Sequence, residues 1–295
     1  MIDASKPDRS RRVSVDGYSV VTYEYGTGDE VLFLLNGGPG LPCNYLRDPL
    51  LRLVGEGLRV VTYDQLGCGA SDKPDDPRLW TIERYVAEVE TVRQALGIER
   101  MHLLGHSWGG WLAIEYALSH LGPLASLILS NTCGDMPHLS GELDRLRGAL
   151  GAESVAMMQR HEAEGTLDHP EYKAAIELLT YRHVVRLDHW PEPIQASLDD
   201  WNTAVYGVMQ GPNEFLYVGN LKDWNRIAEM PRITVPTLVL VGEHDELTPA
   251  CAMRMDRALP DSEIAVIRNA SHMPFYEAPE AYFATLGRFL ARVRG

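Results

Sequence analysis

The chain reads as an α/β protein: a mostly parallel sheet with helices between its strands, interrupted once by a helical insertion. Three observations predict this. Short runs that are apolar at every position recur along the chain, as strands buried on both faces require. Segments with helical spacing separate them, the alternation that produces parallel strands joined by right-handed crossovers. After Thr132 the apolar runs give way to helical periodicity from Gly134 to about Ala228, and then they return.

Val13–Tyr25 predicts two short strands joined at Asp16-Gly17, a hairpin-turn dipeptide. Val31–Leu35 and Arg59–Tyr63 predict buried strands, the first stopping at Asn36-Gly37-Gly38-Pro39-Gly40 and the second at Asp64-Gln65-Leu66-Gly67. Thr81–Leu96 has helical spacing at Ile82, Val86, Val89, Val92 and Leu96. Thr81 is its N-cap, with Arg84 where a capping box would place Glu or Gln. Arg100–Leu104 predicts a strand running into Gly105-His106-Ser107-Trp108-Gly109-Gly110, followed by a helix over Trp111–Leu118 and a strand over Leu124–Ser130. Thr237–Val241 and Ile264–Ile267 predict the last strands and Ala281–Val293 a closing helix. The expected organisation is a core of residues 1–132 and 229–295 with a helical cap over 133–228.

The bulk numbers narrow the function. A length of 295 residues suits one large domain with an insertion, and 45% hydrophobic with 23% charged residues is ordinary for a globular chain. A net charge of -14 argues against nucleic acid and against anionic membrane surfaces, since both need clustered Lys and Arg. The polar, acidic start (Met1-Ile2-Asp3-Ala4-Ser5-Lys6-Pro7-Asp8) does not resemble a signal peptide, and no apolar run is long enough to span a bilayer. Cys43, Cys68, Cys133 and Cys251 are scattered, without a CxxC pair, so the expected setting is a reducing cytoplasm. Neither GxGxxG nor HExxH occurs. His161, His183 and His189 read as helix-face histidines, and no metal or cofactor is expected.

Gly105-x-Ser107-x-Gly109 between a buried strand and a helix predicts a nucleophile elbow, and with it the α/β-hydrolase fold. The turn needs small residues two positions either side of the serine. A hydroxyl is a poor nucleophile until a base takes its proton, and in this fold the order is Ser, then Asp or Glu, then His. Of ten histidines, His244 and His272 follow strands of the resumed sheet, and His272 lies in a loop near the chain end. Asp245 follows Thr237–Val241, with Glu243 and Glu246 as rivals for the acid. Both loops fall beyond strand C-termini, where open α/β sheets place their sites. The glycine-rich loop after Val31–Leu35 offers the Gly38 amide, and the elbow offers that of Trp108, as the two oxyanion donors.

Assembled in this way, the sequence resembles the proline iminopeptidase family of α/β-hydrolases, of the tricorn-interacting-factor type, over nearly its whole length. Asn36-Gly37-Gly38-Pro39-Gly40 is similar to the family's HGGPG, and Asp64-Gln65-Leu66-Gly67-Cys68-Gly69-Ala70-Ser71 to its DQxGxGxS. Gly211-Pro212-Asn213-Glu214-Phe215 matches GPNEF, and Gly242-Glu243-His244-Asp245-Glu246-Leu247-Thr248-Pro249 matches GExDExTP. The resemblance implies a triad of Ser107, Asp245 and His272. It implies that Glu214 and Glu246 hold a substrate's free α-amino group, and that Tyr206 lines the same site. Asn36 departs from the family's histidine, but the donors are backbone amides, so the oxyanion hole is expected to survive.

The implied activity is removal of an N-terminal amino acid, proline or another small or apolar residue, from a peptide or amide through an aminoacyl-enzyme. The expected partner is a small peptide or aminoacyl-amide substrate. Two alternatives keep the serine: an amidase that strips an aminoacyl group from a natural-product amide, and a carboxylesterase indifferent to the amine. A non-catalytic receptor on the same fold is the reading from another class. A wide or greasy tunnel between cap and core would favour a large non-peptide amide, and a short closed pocket would favour small peptides.

Overall fold

Eight strands form one sheet in the order β1-β2-β4-β3-β5-β6-β7-β8 in the computed structural model, which describes residues 2–55 and 57–294. They are β1 (Arg9–Val15), β2 (Tyr18–Tyr25), β3 (Glu30–Leu35), β4 (Leu58–Asp64), β5 (Met101–His106), β6 (Leu124–Ser130), β7 (Thr237–Gly242) and β8 (Ser262–Ile267). The β1–β2 and β2–β4 pairs are antiparallel and the remaining pairs parallel. Asp16 (φ 51°) and Gly17 (φ 85°) turn the first hairpin with positive φ at both positions, as the dipeptide predicted.

Alternate strand residues enter two separate cores. Phe33, Leu35, Leu103 and Val239 face one, while Leu32, Leu34, Leu104 and Leu240 face the other. Burial on both faces is why these strands are apolar at every position. Each fully buried Leu, Val or Phe side chain contributes roughly 1.5–3 kcal/mol.

The helices are α1 (Asn44–Leu50), α2 (Ile82–Ala95), α3 (Trp108–Ser119), α4 (Met136–Gly148), α5 (Ala152–Glu164), α6 (Pro170–His183), α7 (Glu192–Asp199), α8 (Thr203–Met209), α9 (Pro249–Ala258), α10 (Pro274–Glu277) and α11 (Pro279–Arg294). Thr81 caps α2 by accepting from the Arg84 amide at 3.4 Å. Helices α4 to α8 fall between β6 and β7, so the inserted helical segment follows the sixth strand. No helix among the described residues is long and apolar enough to cross a membrane.

The structure extends three sequence-based boundaries. β1 begins at Arg9 because Arg9–Arg12 pair with Val21–Glu24 while their side chains stay in solvent, leaving no apolar trace. β8 begins at Ser262 for the same reason: it is an edge strand with mixed burial. α3 begins at Trp108, three residues before the predicted start, because Gly109 and Gly110 are helical rather than loop residues. They are glycines because the helix start is pressed against the sheet. A Cβ on Gly109 would lie 2.1 Å from the Leu35 carbonyl oxygen, and one on Gly105 would lie 2.2 Å from that of Gly109.

Gly109→Ala is therefore expected to destabilise the fold by about 3 kcal/mol or more, since backbone cannot yield as a side chain tip does. Urea unfolding measures this; an unchanged midpoint would show that α3 is free to move off the sheet.

Candidate active site

Ser107 occupies the corner between β5 and α3 with φ 57° and ψ -125°, a conformation that costs a non-glycine residue roughly 1–3 kcal/mol. The neighbouring strand holds it there. The Ser107 amide donates to the carbonyls of Ser130 and Asn131, both at 3.1 Å. Its carbonyl accepts from the Gly110 amide at 2.8 Å and from Thr132 Oγ1 at 2.9 Å. Trp108 is the first residue of α3, so its amide has no acceptor within the helix.

Asp245 follows β7 and His272 follows β8. His272 Nδ1 donates to Asp245 Oδ1 at 2.9 Å. Asp245 accepts two further bonds, from the Leu247 amide at 3.0 Å and from Asn131 Nδ2 at 2.6 Å. Burial pushes the Asp245 carboxyl upward, but the charge and hydrogen bond of His272 outweigh it and hold the pKa below its ordinary 3.8. For His272, burial works against the imidazolium. Asp245, with Glu214 behind it, more than offsets that and raises the pKa above 6.5. Of the rivals, Glu243 turns away: its Oε2 accepts from the Asn269 amide at 3.0 Å on the exposed side of the loop.

Glu246 is the second carboxylate at the imidazole. Its Oε1 lies 3.1 Å from His272 Nδ1, but the one Nδ1 proton points to Asp245. Both Glu246 oxygens are buried without a hydrogen-bond donor among the described residues. Burial first, then the charges of Asp245 and Glu214, push its pKa well above 4.5, which favours the protonated form. Glu214 comes from the loop after α8. Gln210 Nε2 donates to its Oε2 at 2.7 Å and to the Tyr206 hydroxyl oxygen at 2.5 Å. Burial raises the Glu214 pKa, and His272, Gln210 and Tyr206 lower it only in part.

The oxyanion loop closes on itself. Asn36 Nδ2 donates to the Leu41 carbonyl at 2.5 Å, and Gln65 Nε2 donates to the Asn36 carbonyl at 3.3 Å. Gln65 Oε1 in turn accepts from the Trp108 indole at 2.9 Å. Gln65 thus joins the loop to the elbow. The Gly37 amide is held by the Tyr45 hydroxyl at 2.5 Å, while the Gly38 amide makes no hydrogen bond among the described residues.

A cavity of about 260 Å³ opens above Ser107 and His272. Gly38 and Glu214 line it; Glu246 and Tyr206 sit behind the wall. The remaining surface is largely apolar, from Ile176, Val184, Trp190, Ile194, Leu198 and Trp201. No Lys or Arg lines it. The cap is pinned to the acid loop by His183, whose Nδ1 donates to the His244 carbonyl at 2.7 Å. Asp245, Glu246 and His272 present ligand atoms close enough for a metal, as do His161, His169 and Glu171. In the second group, however, Glu171 is already paired with Arg160. Sequence reasoning missed Tyr45, Gln65, Asn131, Thr132 and His106 as members of this site. Gln65 and His106 lay within motifs already singled out, Asp64–Ser71 and Gly105–Gly109, and the other three carried no signal.

The chain's likeness to known proteins follows the same outline. The alpha/beta hydrolase fold family matches residues 30–279. The proline iminopeptidase of Heyndrickxia coagulans is 37% identical over 268 residues, which are 90% of this chain and 92% of that protein. That of Saccharolobus solfataricus is 37% identical over 264 residues, covering 89% and 85%. The crystal structure of the Mycobacterium smegmatis proline iminopeptidase superposes with a TM-score of 0.89 at 36% identity, over 97% of this chain and 98% of that one. The crystal structure of VinJ superposes with a TM-score of 0.92 at 33% identity, over 98% and 100%.

The charge balance at His272 has a direct signature. Its imidazole resonances should titrate above pH 6.5. In Asp245→Asn the midpoint should fall, because the attraction that favours the imidazolium is gone. An unmoved midpoint in nuclear magnetic resonance would mean that Asp245 does not control this ring.

Proposed function

We propose that this chain, which belongs to the proline iminopeptidase family of α/β-hydrolases, is a serine aminopeptidase in which Ser107, Asp245 and His272 release one amino acid from the free N-terminal end of a substrate. The observation that carries the reading is a pair of desolvated carboxylates, Glu214 and Glu246, set beside the imidazole that serves the nucleophile. A plain esterase has no use for them. A substrate ammonium supplies the charge that Glu214 awaits at the cavity wall and, drawn in behind it, the donors that the Glu246 oxygens lack. Tyr206 steadies Glu214 through Gln210.

In the proposed reaction the amine fixes the first residue so that its carbonyl lies over Ser107. His272 Nε2 takes the Ser107 proton as Oγ adds to the carbonyl carbon, and Asp245 holds the resulting imidazolium. The Gly38 and Trp108 amides stabilise the oxyanion; a donor of this kind is worth about 10²–10³ in rate. The intermediate collapses as His272 gives its proton to the leaving amine, and water then releases the amino acid from Ser107. The working base is neutral His272, whose pKa is raised, so kcat/KM should rise with pH through a midpoint above 6.5. Residues 133–228 form the cap over a core of 1–132 and 229–295 in this reading, though Met1, Glu56 and Gly295 lie outside the described residues. Four unpaired, buried cysteines suit a reducing compartment, and we place the activity in the cytoplasm.

One observation favours a second reading of the leaving group. Beyond Glu214 the cavity is largely apolar, and no Lys or Arg lines it to pair with the C-terminal carboxylate of a short peptide. Such a wall fits an amide whose leaving amine is large and apolar. An aminoacyl octylamide should therefore exceed a dipeptide of the same first residue in kcat/KM by about tenfold or more, as several buried methylenes would provide. The reverse order would return the site to small peptides.

Ser107→Ala should lower turnover by about 10⁴-fold or more. Glu246→Gln and Glu214→Gln should each cost about 10²-fold in kcat/KM on free-amine substrates, the penalty for unpairing a buried charge. Activity on an N-acetylated ester should be unchanged in both. Equal losses on the two substrates would remove the amine anchor and leave a carboxylesterase. A wild-type chain that no fluorophosphonate labels would be non-catalytic.

A further inference from the structure

The elbow carries a second buried side chain, His106, that the reaction does not use. It is fully buried, and Tyr45 beside it is 1% exposed. Tyr45 comes from α1, behind the oxyanion loop. Three hydrogen bonds run in one direction through these side chains. The Gly37 amide donates to the Tyr45 hydroxyl oxygen at 2.5 Å. That hydroxyl and His106 Nδ1 are 2.9 Å apart. His106 Nε2 and the His272 carbonyl oxygen are 2.9 Å apart. A carbonyl can only accept, so Nε2 carries the proton. In the neutral ring Nδ1 then accepts from Tyr45. Burial, followed by the nearness of His272, holds the His106 pKa down at about 3, consistent with a ring that stays neutral. Packing fixes the same path: the His106 ring is 4.6 Å from that of His272 and 5.1 Å from that of Phe275.

We infer that Tyr45 and His106 are positioning residues that lock the oxyanion loop to the loop bearing the base, through the elbow between them. Gly37 precedes the Gly38 donor, and a Cβ on Gly37 would lie 2.9 Å from Ser107 Cβ, so this loop rests directly on the nucleophile. At the other end the His272 carbonyl sits on the backbone of the base itself. One chain of three bonds therefore sets the spacing between donor, nucleophile and base. Its benefit appears in the transition state, where the oxyanion and the imidazolium form together, rather than in substrate binding.

The inference rests on Ser107 and His272 acting as proposed above, so Ser107→Ala belongs in the same experiment. Wild type, Tyr45→Phe, His106→Gln, His106→Leu and the double variant Tyr45→Phe/His106→Gln are assayed on an aminoacyl anilide. Each kcat is expressed per site titrated by a fluorophosphonate, which counts folded enzyme only. Tyr45→Phe is expected to lower kcat by about 10- to 100-fold, the scale of a misplaced oxyanion donor, with KM within about twofold. The double variant is expected to lose less than the product of the single losses, because both break one chain. His106→Gln, which keeps an N–H near the place of Nε2, should retain more kcat than His106→Leu, and this comparison stands if Tyr45→Phe does not fold. The inference is overturned by an unchanged kcat per titrated site, by a rise in KM with kcat retained, by independent losses in the double variant, or by equal losses in His106→Gln and His106→Leu. If Ser107→Ala remains active, the nucleophile is wrong; if it is inert while Tyr45→Phe is normal, only the positioning chain fails.

Discussion

The positive-φ backbone of Ser107 is held in place by groups on the next strand, and the rest of the site is arranged around that corner. Its amide reaches two carbonyls at the end of β6, and Thr132 secures its carbonyl from the other side. Gly105 and Gly109 let strand and helix approach to a distance that no Cβ would tolerate. Because the corner is tight, Ser107 stands at the start of α3 with the Trp108 amide beside it. Because β6 clamps it, Asn131 lies next in sequence and reaches across to Asp245 at 2.6 Å. A single backbone strain thus sets Ser107, the Trp108 amide and the support of Asp245, the groups to which the proposal gives the roles of nucleophile, oxyanion donor and triad acid.

Around this corner the protein separates carboxylates by the donors it gives them. Asp245 and Glu246 are adjacent in sequence and both fully buried, yet their pKa values move in opposite directions. Asp245 receives donors from His272, Leu247 and Asn131 and stays ionised. Glu246 receives none from another residue among those described and faces two other carboxylates, so its charged form awaits a cation. Environments that drive neighbouring groups apart in this way divide labour between them. In the proposed reaction one acid orients the base, and the other registers the substrate's amine. The apolar wall beyond Glu214 then makes the amine end the polar end of the ligand.

Much of this was legible in the sequence where burial leaves a pattern. Strands buried on both faces announce themselves as unbroken apolar runs, and β3, β5, β6 and β7 were found within two residues at each end. Edge strands left no such trace: Arg9–Arg12 are strand residues with exposed side chains, and β8 opens on a half-buried Ser262 and an exposed Glu263. Helix α1 was not anticipated, since it is seven residues long and contains Pro49. At the site, Ser107 and His272 could be found from order and loop position. Asp245 could not be separated from Glu243 and Glu246 without the family resemblance, because Glu243 turns outward while Asp245 and Glu246 both turn inward and differ in which one accepts the His272 Nδ1 proton. His106 looked like a spacer in a five-residue pattern. Its partners, Tyr45 and the His272 carbonyl, are 61 and 166 residues away in sequence, and no local signal reports contacts of that separation.

The central claim is that Ser107 becomes acylated by a residue whose amine is free. Rapid acid quench of the enzyme with an aminoacyl ester, followed by intact and peptide mass spectrometry, tests it directly. The account predicts an adduct of one aminoacyl group on the peptide containing Ser107, formed about 10²-fold faster than with the same ester N-acetylated and supplied at the same concentration. An adduct on another residue, or equal acylation of Ser107 by the acetylated ester, would contradict it.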